Sequence, residues 1–325
     1  MADRAAPEAV TCGEAMLLML AEPGVPLDRA IAFRRSVAGA ESNVAAGLAR
    51  LGHHARWLGR LGADPAGEAV LRELRADGVD VAYADRDPEA PTGLLLRDSH
   101  PARAIDVQYY RAGSAASRLA PEHIRAEALE GARLLHISGI TPMLSPSAAE
   151  ATAKLIELAR AGGTTVSFDP NVRRKLAAPE AWAATVGPLL AEADLVLAGE
   201  DELELLAGGR DADGTAAELL RGRAHTVVLK RTDHSATALT AEGGTYHQPH
   251  FPVPLADPVG AGDAFAAGYL SAWLRGLPAQ RALAEAACVA ALVVQAATDT
   301  DGLPTAAARD RALAAFTGGG DSVHR

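Results

Sequence analysis

Short apolar runs alternate with amphipathic stretches along most of this chain. Runs of consecutive apolar residues predict buried strands, whereas apolar residues three or four positions apart predict helices. Strands are predicted at 10–20, 57–61, 134–138, 164–168, 194–198 and 226–230, and helices at 44–51, 68–77, 147–160, 179–191, 200–206, 216–221, 264–275, 279–297 and 305–316. This alternation favours an α/β fold, with a mostly parallel sheet and helices on both faces.

Two parts of the chain depart from that alternation. The segment 79–111 carries two strand-like runs, 93–97 and 104–111, without a helix between them. Such a patch predicts a small sheet that projects from the main body, and we interpret it as a cover over a site. Runs at 236–239 and 245–248 predict antiparallel strands at one edge of the main sheet.

Polar residues follow several of the predicted strands. In an open α/β sheet, ligands bind beyond the carboxyl ends of the strands. The polar strand ends are residues 138–139, 169–173, 199–202 and 230–232. We therefore expect them to line one edge of the sheet, together with a glycine turn at 260–262.

Composition and charge exclude some classes of function. The 325 residues carry a formal net charge of −10, which argues against a surface for nucleic acid or an anionic membrane. No apolar run could span a bilayer, and residues 1–8 lack the apolar run of a signal peptide, so we expect a cytoplasmic protein. Cys12 and Cys288 are expected to be buried free thiols, and the tail 318–325 to be disordered.

The stretch 257–269 combines a glycine turn with the start of a helix. Pro258 interrupts regular hydrogen bonding, and Gly260 and Gly262 allow a tight turn. The free N–H groups and the positive dipole end of such a helix attract an anion such as phosphate. Asp263 is predicted at the cap or the first helical position, where it either caps the helix or accepts a proton from a hydroxyl that attacks a phosphate. The turn alone leaves both roles open.

Motifs in three stretches, in this order along the chain, resemble those of the ribokinase-like (PfkB) sugar kinases. They are residues 39–52, residues 59–67 and residues 257–263, the last with Pro258 where that family usually has Thr. Within that family, three further stretches look like 2-keto-3-deoxygluconate kinases. They are residues 109–115, 136–142 and 171–173.

The resemblance implies a fold and a domain organisation. The implied fold is an α/β three-layer sandwich, with a mostly parallel central sheet, helices on both faces and a small protruding β-sheet lid. Residues 1–325 would form a single ribokinase-like domain, and the lid would come from about residues 14–37 and 91–111. A protruding sheet of this kind often pairs with a second copy, so a homo-oligomer through the lid is expected.

The resemblance also implies roles for individual residues. Asp263 would be the catalytic base, with Gly260, Ala261 and Gly262 as the anion hole. The residues expected to bind the sugar acid are Gly39, Ala40, Glu41, Asn43, Tyr109, Tyr110, Arg111, Arg173 and Asp263. Those expected to bind ATP are Asn171, Arg173, Gly199, Lys230, Thr232, Ser235, Gly260, Gly262 and Ala287. Mg²⁺ would travel with ATP, no protein ligands to it are assigned, and dependence on a monovalent cation stays open.

Elementary chemistry agrees with the substrate and the base. A sugar acid carries a carboxylate, which arginine side chains such as Arg111 and Arg173 hold well. Asp263, with an ordinary pKa of about 3.9, is expected to be ionised at neutral pH and able to accept a hydroxyl proton.

Several positions depart from the pattern of the resembling kinases. Leu95 stands where a Tyr is frequent, which removes one possible hydroxyl contact to the sugar. The segment 230–235 lacks the glycines of the usual Lys-x-Gly-x-x-Gly loop, with Thr232 and Ser235 in their places. Ala287 stands where an Asn often lies near the adenine. These departures bear on nucleotide contacts and on sugar preference, not on phosphoryl transfer.

The predicted function is ATP-dependent phosphorylation of the terminal O6 hydroxyl of 2-keto-3-deoxygluconate. One alternative is a fructokinase, a ribokinase or another sugar or nucleoside kinase of the same fold. A second, from another class, is a non-catalytic sensor of sugar acids. The intact stretch 260–263 argues against the sensor.

Overall fold

The computed structural model describes residues 6–100 and 105–318 of the chain. Its strands are β1 (Ala9–Cys12), β2 (Met16–Ala21), β3 (Phe33–Ala38), β4 (Ala55–Leu58), β5 (Arg60–Gly62), β6 (Asp85–Asp87), β7 (Leu94–Arg97), β8 (Val107–Tyr110), β9 (Leu134–Ser138), β10 (Thr165–Asp169), β11 (Leu195–Gly199), β12 (Thr226–Lys230), β13 (Ala236–Thr240) and β14 (Thr245–Gln248). Its α-helices are α1 (Ala40–Arg50), α2 (Pro65–Ala76), α3 (Pro146–Ala161), α4 (Pro179–Leu190), α5 (Glu200–Leu206), α6 (Ala212–Arg221), α7 (Ala261–Leu274), α8 (Ala279–Val293) and α9 (Ala306–Phe316).

The main sheet has eight strands in the order β14-β13-β12-β11-β10-β9-β1-β4. Every pair from β12 to β4 is parallel, whereas β13 and β14 extend the sheet in antiparallel fashion at one edge. The carboxyl ends of β9 to β12 therefore meet at one edge of the sheet, as the polar strand ends predict.

Helices cover both faces of this sheet because the strands are apolar on both sides. Along β11, Val196 and Ala198 belong to a core under α3 to α6, while Leu195 and Leu197 belong to a core under α1, α7 and α8. Alternate side chains of a strand point to opposite faces, so the four buried residues of β11 serve two cores. The predicted three-layer architecture is confirmed.

The small sheet, as we call it, has four strands in the order β3-β2-β7-β8. Strand β2 pairs antiparallel with β3 and parallel with β7, and β7 pairs antiparallel with β8. The expected separate sheet is thus present. The strand expected at 104–111 is observed as Val107–Tyr110, and its first expected residue lies outside the described part of the chain.

Two predicted strands are wrong in extent, because each is two strands in different sheets. The apolar run 10–20 divides at Gly13 into β1 of the main sheet and β2 of the small sheet. The run 57–61 divides at Gly59 into β4 and β5, the latter paired with β6 in a two-stranded sheet. A hydrophobic pattern indicates which residues are buried, and both halves of each run are largely buried. The pattern therefore does not reveal that the chain passes from one sheet to another.

Helix limits also differ from the sequence pattern at functionally relevant places. Helix α1 begins at Ala40 rather than at 44, and α7 begins at Ala261 rather than at 264. The predicted disordered tail lies, apart from Gly318, outside the described residues. Within the described part of the chain, no helix is long and apolar enough to cross a membrane. Cys12 and Cys288 are buried free thiols, as expected.

Candidate active site

Two cavities lie at the edge of the main sheet where β10, β11 and β12 end. The first has a volume of about 510 Å³ and is lined by charged residues and by the small sheet. The second has a volume of about 600 Å³ and is mostly apolar. Lys230, Pro258 and Gly262 line both of them, so the two cavities meet at the N-terminus of α7.

The glycine turn presents the N-terminus of α7 to this junction. Gly260 is the N-cap residue, with φ of 87°, a left-handed conformation that favours glycine. Asp299 also packs against it, since a Cβ on Gly260 would lie 2.7 Å from the Asp299 carbonyl oxygen. Among the described residues, none accepts a hydrogen bond from the N–H groups of Gly260 or Gly262. These groups are therefore available to an anion.

The position of Asp263 corrects a sequence prediction. Asp263 is the third residue of α7, not its cap or first residue, and the cap makes no side-chain hydrogen bond. Its carboxylate instead accepts hydrogen bonds from Asn43 Nδ2 at 2.8 Å and from Asn171 Nδ2 at 3.3 Å. Asp263 therefore does not serve as an N-cap. The tertiary structure directs it into the first cavity.

The ionisation of Asp263 also differs from the expectation. Burial raises the pKa of Asp263 to about 7, although the hydrogen bond from Asn43 and the charge of Arg173 lower it. The negative charges of Asp169 and Asp299 raise it further. A carboxyl group with this pKa is half protonated near neutral pH, which suits a group that accepts a proton and later releases it.

Two cations stand beside Asp263. Lys230 donates a hydrogen bond to Asp169 at 2.7 Å, and its Nζ would lie 3.9 Å from a Cβ at Gly262, next to the helix N-terminus. Burial lowers the pKa of Lys230, but Asp169 and Glu202 outweigh it, so the net pKa is raised and the ammonium stays charged. Arg173 lines the first cavity and donates to the carbonyls of Asn171 and Val172, and no described carboxylate forms an ion pair with it.

Strand β8 brings one of the two predicted tyrosines into the first cavity. Tyr109 lines the cavity and lies under the Arg111 guanidinium, 4.9 Å from ring centroid to Cζ. Tyr110 is 61% exposed and is not part of the lining, because adjacent strand residues point to opposite faces. Arg111 also lines the cavity, but it is ion-paired with Glu14, so its charge is already matched inside the protein.

Glu41 lines the first cavity, yet its carboxylate is engaged by the protein. One oxygen accepts hydrogen bonds from the Ser138 hydroxyl at 2.7 Å and the Thr141 hydroxyl at 2.9 Å. Burial raises the pKa of Glu41 despite these hydrogen bonds. Glu41 therefore connects the start of α1 to the end of β9 through Oε1, while Oε2 accepts no hydrogen bond from the described residues.

The remaining predicted residues divide between the two cavities. Those in the first cavity are Gly39, Ala40, Asn43, Asn171, Arg173, Gly199, Gly260 and Asp263. Those in the second are Ser235, Ala261 and Ala287, while Lys230 and Gly262 line both. Asn171 and Gly199, expected only on the ATP side, thus lie on the charged side, as does Arg173, which was expected to contact both ligands. Thr232 lines neither cavity and instead donates to Glu200.

Three charged residues of the first cavity are not among those predicted from the sequence: Glu14, Arg97 and Asp299. Arg97 is the last residue of an otherwise apolar strand, and Glu14 follows a glycine between two apolar runs. For Glu14 and Arg97, a charged residue within an apolar stretch is the sequence signal that indicates a buried charge. It did not show which other residues these charges would meet.

The described residues contain no group of three or more His, Cys, Asp or Glu side chains arranged to hold a metal ion. The carboxylate Asp169 at the junction is paired with Lys230. This donor set does not form an all-protein metal cage. It is compatible with an ion held mainly by phosphate oxygens and water.

Comparisons with known proteins agree with this architecture. Residues 7–306 match the pfkB family of carbohydrate kinases. The 2-dehydro-3-deoxygluconokinase of Bacillus subtilis (strain 168) is 38% identical, over 98% of this chain and 98% of that protein. The 2-dehydro-3-deoxygalactonokinase of Haloferax volcanii is 36% identical, over 88% of this chain and 90% of that protein.

Among solved structures, the PfkB protein from Polaromonas sp. JS666 is 37% identical, with a TM-score of 0.83. The match covers 94% of this chain and 99% of that one. A family match over most of the chain, a full-length relative and a shared fold all point the same way. This chain belongs to the pfkB family of carbohydrate kinases.

Proposed function

We propose that this carbohydrate kinase transfers the γ-phosphoryl group of ATP to the terminal O6 hydroxyl of 2-keto-3-deoxygluconate. The observation that carries the proposal is the meeting of the two cavities at the free N-terminus of α7, with Asp263 on the charged side. That arrangement suits a phosphoryl group that passes from a ligand in one cavity to a ligand in the other.

In the proposed step, the O6 oxygen attacks the γ-phosphorus as its proton passes to the Asp263 carboxylate. The new O6–P bond forms while the bond from the γ-phosphorus to the bridging oxygen breaks, and ADP leaves with that electron pair. The N–H groups of Gly260, Ala261 and Gly262 and the Lys230 ammonium stabilise the charge on the transferring group. The Ala261 N–H makes only a 3.4 Å contact with the Pro258 carbonyl, which a phosphate oxygen can replace.

The second cavity is the proposed site of the nucleotide base. Phe251, Val253, Leu255 and Val294 supply apolar surface there, and Ala287 and Ser235 lie at its wall. The phosphates then lie along Lys230 and Gly262, which border both cavities. When bound, Mg²⁺ would neutralise phosphate charge, held by phosphate oxygens and water.

The first cavity is the proposed site of the sugar acid. Arg173 carries a positive charge with no described carboxylate paired to it, so it is the better partner for the substrate carboxylate. Arg111 is already matched by Glu14 and holds the wall with Tyr109. An anionic substrate therefore meets one guanidinium that forms no ion pair with a described carboxylate, which favours a sugar acid over a neutral sugar.

The small sheet is the proposed cover over this cavity, within a single domain. Met16, Leu95, Val107 and Tyr109 from its strands line the cavity. Its outer part exposes Tyr110 at 61%, and Ile31, just before β3, at 96%. Exposed apolar side chains on a protruding sheet favour pairing with a second copy of this chain. We therefore propose a homo-oligomer through this sheet, which light scattering would test.

The epimeric substrate 2-keto-3-deoxygalactonate is a second candidate. The Haloferax volcanii relative with that name is nearly as similar as the Bacillus subtilis one. The two sugar acids share the carboxylate and the terminal hydroxyl, and they differ only in the configuration of one hydroxyl. The charged residues of the first cavity therefore do not discriminate between these two epimers.

A substrate panel tests the proposal. ADP release is measured with 2-keto-3-deoxygluconate, its galacto epimer, gluconate, fructose, ribose and adenosine, and NMR of the product locates the phosphate. The expected result is turnover of the two 2-keto-3-deoxy acids, with phosphate on O6. Faster turnover of fructose or ribose would overturn the substrate assignment. Binding of a sugar acid without turnover would favour the sensor.

A further inference from the structure

Arg97 is a fully buried arginine that the reaction step above does not use. It ends β7 of the small sheet, and its side chain is 1% exposed. One terminal nitrogen donates to Asp257 at 2.6 Å and the other to Asp299 at 2.7 Å. The side chains of these acids are 1% and 6% exposed. The guanidinium therefore takes the place of bulk water as their partner.

The two acids lie on opposite sides of the glycine turn. Asp257 begins the turn, and its second oxygen accepts a hydrogen bond from the Val259 N–H at 2.9 Å. The backbone of Asp299 packs against Gly260 closely enough to exclude a Cβ. Arg97 thus holds both sides of the turn at once, from a strand that belongs to the small sheet.

Arg97, Asp257 and Asp299 form a buried triad, and Asn43 connects this triad to the proposed base, Asp263. The Asn43 amide donates to Asp263 at 2.8 Å and also favours the ionised form of Asp299. Burial raises the pKa of Asp299, and the charge of Arg97 lowers it. The negative charge of Asp299 in turn raises the pKa of Asp263. The net charge of the triad therefore changes the pKa of Asp263.

We propose that Arg97 is a positioning residue, which couples the seating of the small sheet to the shape of the Gly260 turn that precedes Asp263. Through Asp299, Arg97 also acts on the ionisation of Asp263. The inference rests on the proposed role of Asp263 as the base. When the small sheet covers the first cavity, Arg97 fixes the turn that receives the phosphoryl group. The Arg97 side chain then links the covering of the sugar to the geometry needed for phosphoryl transfer.

The charged and amide groups that face Asp263 set the background for a test by pH. They are Asn43 from α1, Asp169 and Lys230 from the main sheet, Asn171 and Arg173 after β10, and Asp299 after α8. Of these, only Asp299 is bonded to Arg97. A change at Arg97 therefore acts on Asp263 through Asp299 and through the loss of its own charge.

Two variants separate charge from geometry. Arg97→Met leaves two buried carboxylates without their cation, so we expect the pH midpoint of kcat/KM to rise by about one unit. The triple variant Arg97→Met/Asp257→Asn/Asp299→Asn removes one positive and two negative charges, so its midpoint should fall below that of the wild type. Both variants lack the hydrogen bonds from Arg97 that hold the two sides of the turn. Each should lose about 10- to 100-fold in kcat, with little change in KM for the sugar acid or for ATP.

Arg34→Met is the matched control. Arg34 also joins the small sheet to the loop after α8, through an ion pair to Asp301 at 2.7 Å, but its side chain is 60% exposed. This control should keep the wild-type kcat and midpoint. If the single variant does not fold, the neutral triple variant decides. Wild-type kcat and midpoint in a folded variant, or midpoints that move in the same direction, would overturn the coupling.

A second readout keeps this inference separate from the proposed function. The titration of the Asp263 carboxyl is followed by ¹³C NMR in the free enzyme, with the signal identified by its absence in Asp263→Asn. Opposite shifts of this titration in the two Arg97 variants support the coupling without any turnover. If the wild type phosphorylates none of the panel, the proposed function fails, and the NMR result still decides on Arg97.

Discussion

The two cavities at the sheet edge differ sharply in chemistry, although they share Lys230, Pro258 and Gly262. In the first, charged side chains are held in ion pairs and hydrogen bonds, as Arg111 is by Glu14 and Lys230 by Asp169. In the second, much of the wall is apolar, with contributions from Phe251, Val294 and the alanines of α8.

Under the proposed function, the two cavities would recognise their ligands by different means. A site with fixed charges discriminates strongly, because a wrong ligand leaves buried polar groups unpaired. An apolar wall accepts many flat rings at similar cost. We therefore expect strict selection of the sugar acid and loose selection of the nucleotide base.

The largest effect is expected at the junction, with Asp263→Asn. Loss of a general base lowers turnover by about 10²- to 10⁴-fold. ADP release at pH 8 measures it. The control is Asp211→Asn, because Asp211 is a true N-cap whose side chain accepts from Gly214 N–H. That control should alter stability by at most about 1 kcal/mol and leave turnover unchanged. Near-wild-type turnover of folded Asp263→Asn would remove Asp263 from the mechanism.

The same variant should be more stable than the wild type at neutral pH. The folded pKa of Asp263, about 7, lies above its ordinary value of 3.8, so the folded state binds the extra proton between these values. Wild-type stability is therefore lost as pH rises from 3.8 to about 7. The gain in the denaturation midpoint of Asp263→Asn should grow over this window and then level off. A gain independent of pH would contradict the raised pKa.

The next largest effect is expected on the charged side, with Arg173→Ala. Loss of a charge-assisted hydrogen bond should raise KM for the sugar acid by about 10- to 100-fold, with little change in KM for ATP. The control is the neighbouring Arg174→Ala. The Arg174 side chain is 70% exposed, and its ion pair with Asp201 is long, at 4.0 Å. Equal changes in both KM values would place Arg173 elsewhere.

A smaller effect is expected in the pH dependence of the wild type. Only ionised Asp263 accepts a proton, and burial raises its pKa to about 7. The value of kcat/KM should therefore rise with pH up to about 7, nearly tenfold per unit on the acid side, and then level off. A profile that is flat between pH 5.5 and pH 8 would exclude a base with this pKa.

The smallest effect is expected on the apolar side, with Ala287→Asn. An amide facing the second cavity offers one hydrogen bond, about 1 kcal/mol, and should improve the preference for ATP over GTP by about fivefold. The wild type should discriminate between these nucleotides by less than about tenfold. Ala284→Asn, on the same helix but away from the lining, is the control. Strong discrimination by the wild type would contradict the contrast between the two cavities.

Much of the fold follows from local pattern. Runs such as 134–138 and 226–230 are strands because a sheet buried on both faces requires uninterrupted apolar residues. The pattern fails at 10–20, where one apolar run enters two sheets. Both halves are largely buried, and the division falls at Gly13, which packs closely against the Glu41 carboxylate.

The candidate site shows the same limit. Family-like motifs and polar strand ends locate Asp263, Arg173 and Lys230 at one edge of the sheet, because parallel strands end together. They do not reveal that Tyr110 faces outward or that Glu14 matches Arg111. Those facts depend on strand register and on partners far away in the chain.

Residue types at short spacings in the sequence are enough to give the layered α/β architecture, the glycine turn before α7 and the family. Only the folded chain shows that Asp263 is a half-buried acceptor rather than a cap, that burial raises its pKa to about 7, and that Arg97 joins the small sheet to the turn. The physical reason is electrostatic. Burial and the positions of other charges set an ionisation, and only the folded chain brings residues 43, 97, 257 and 299 together around residue 263.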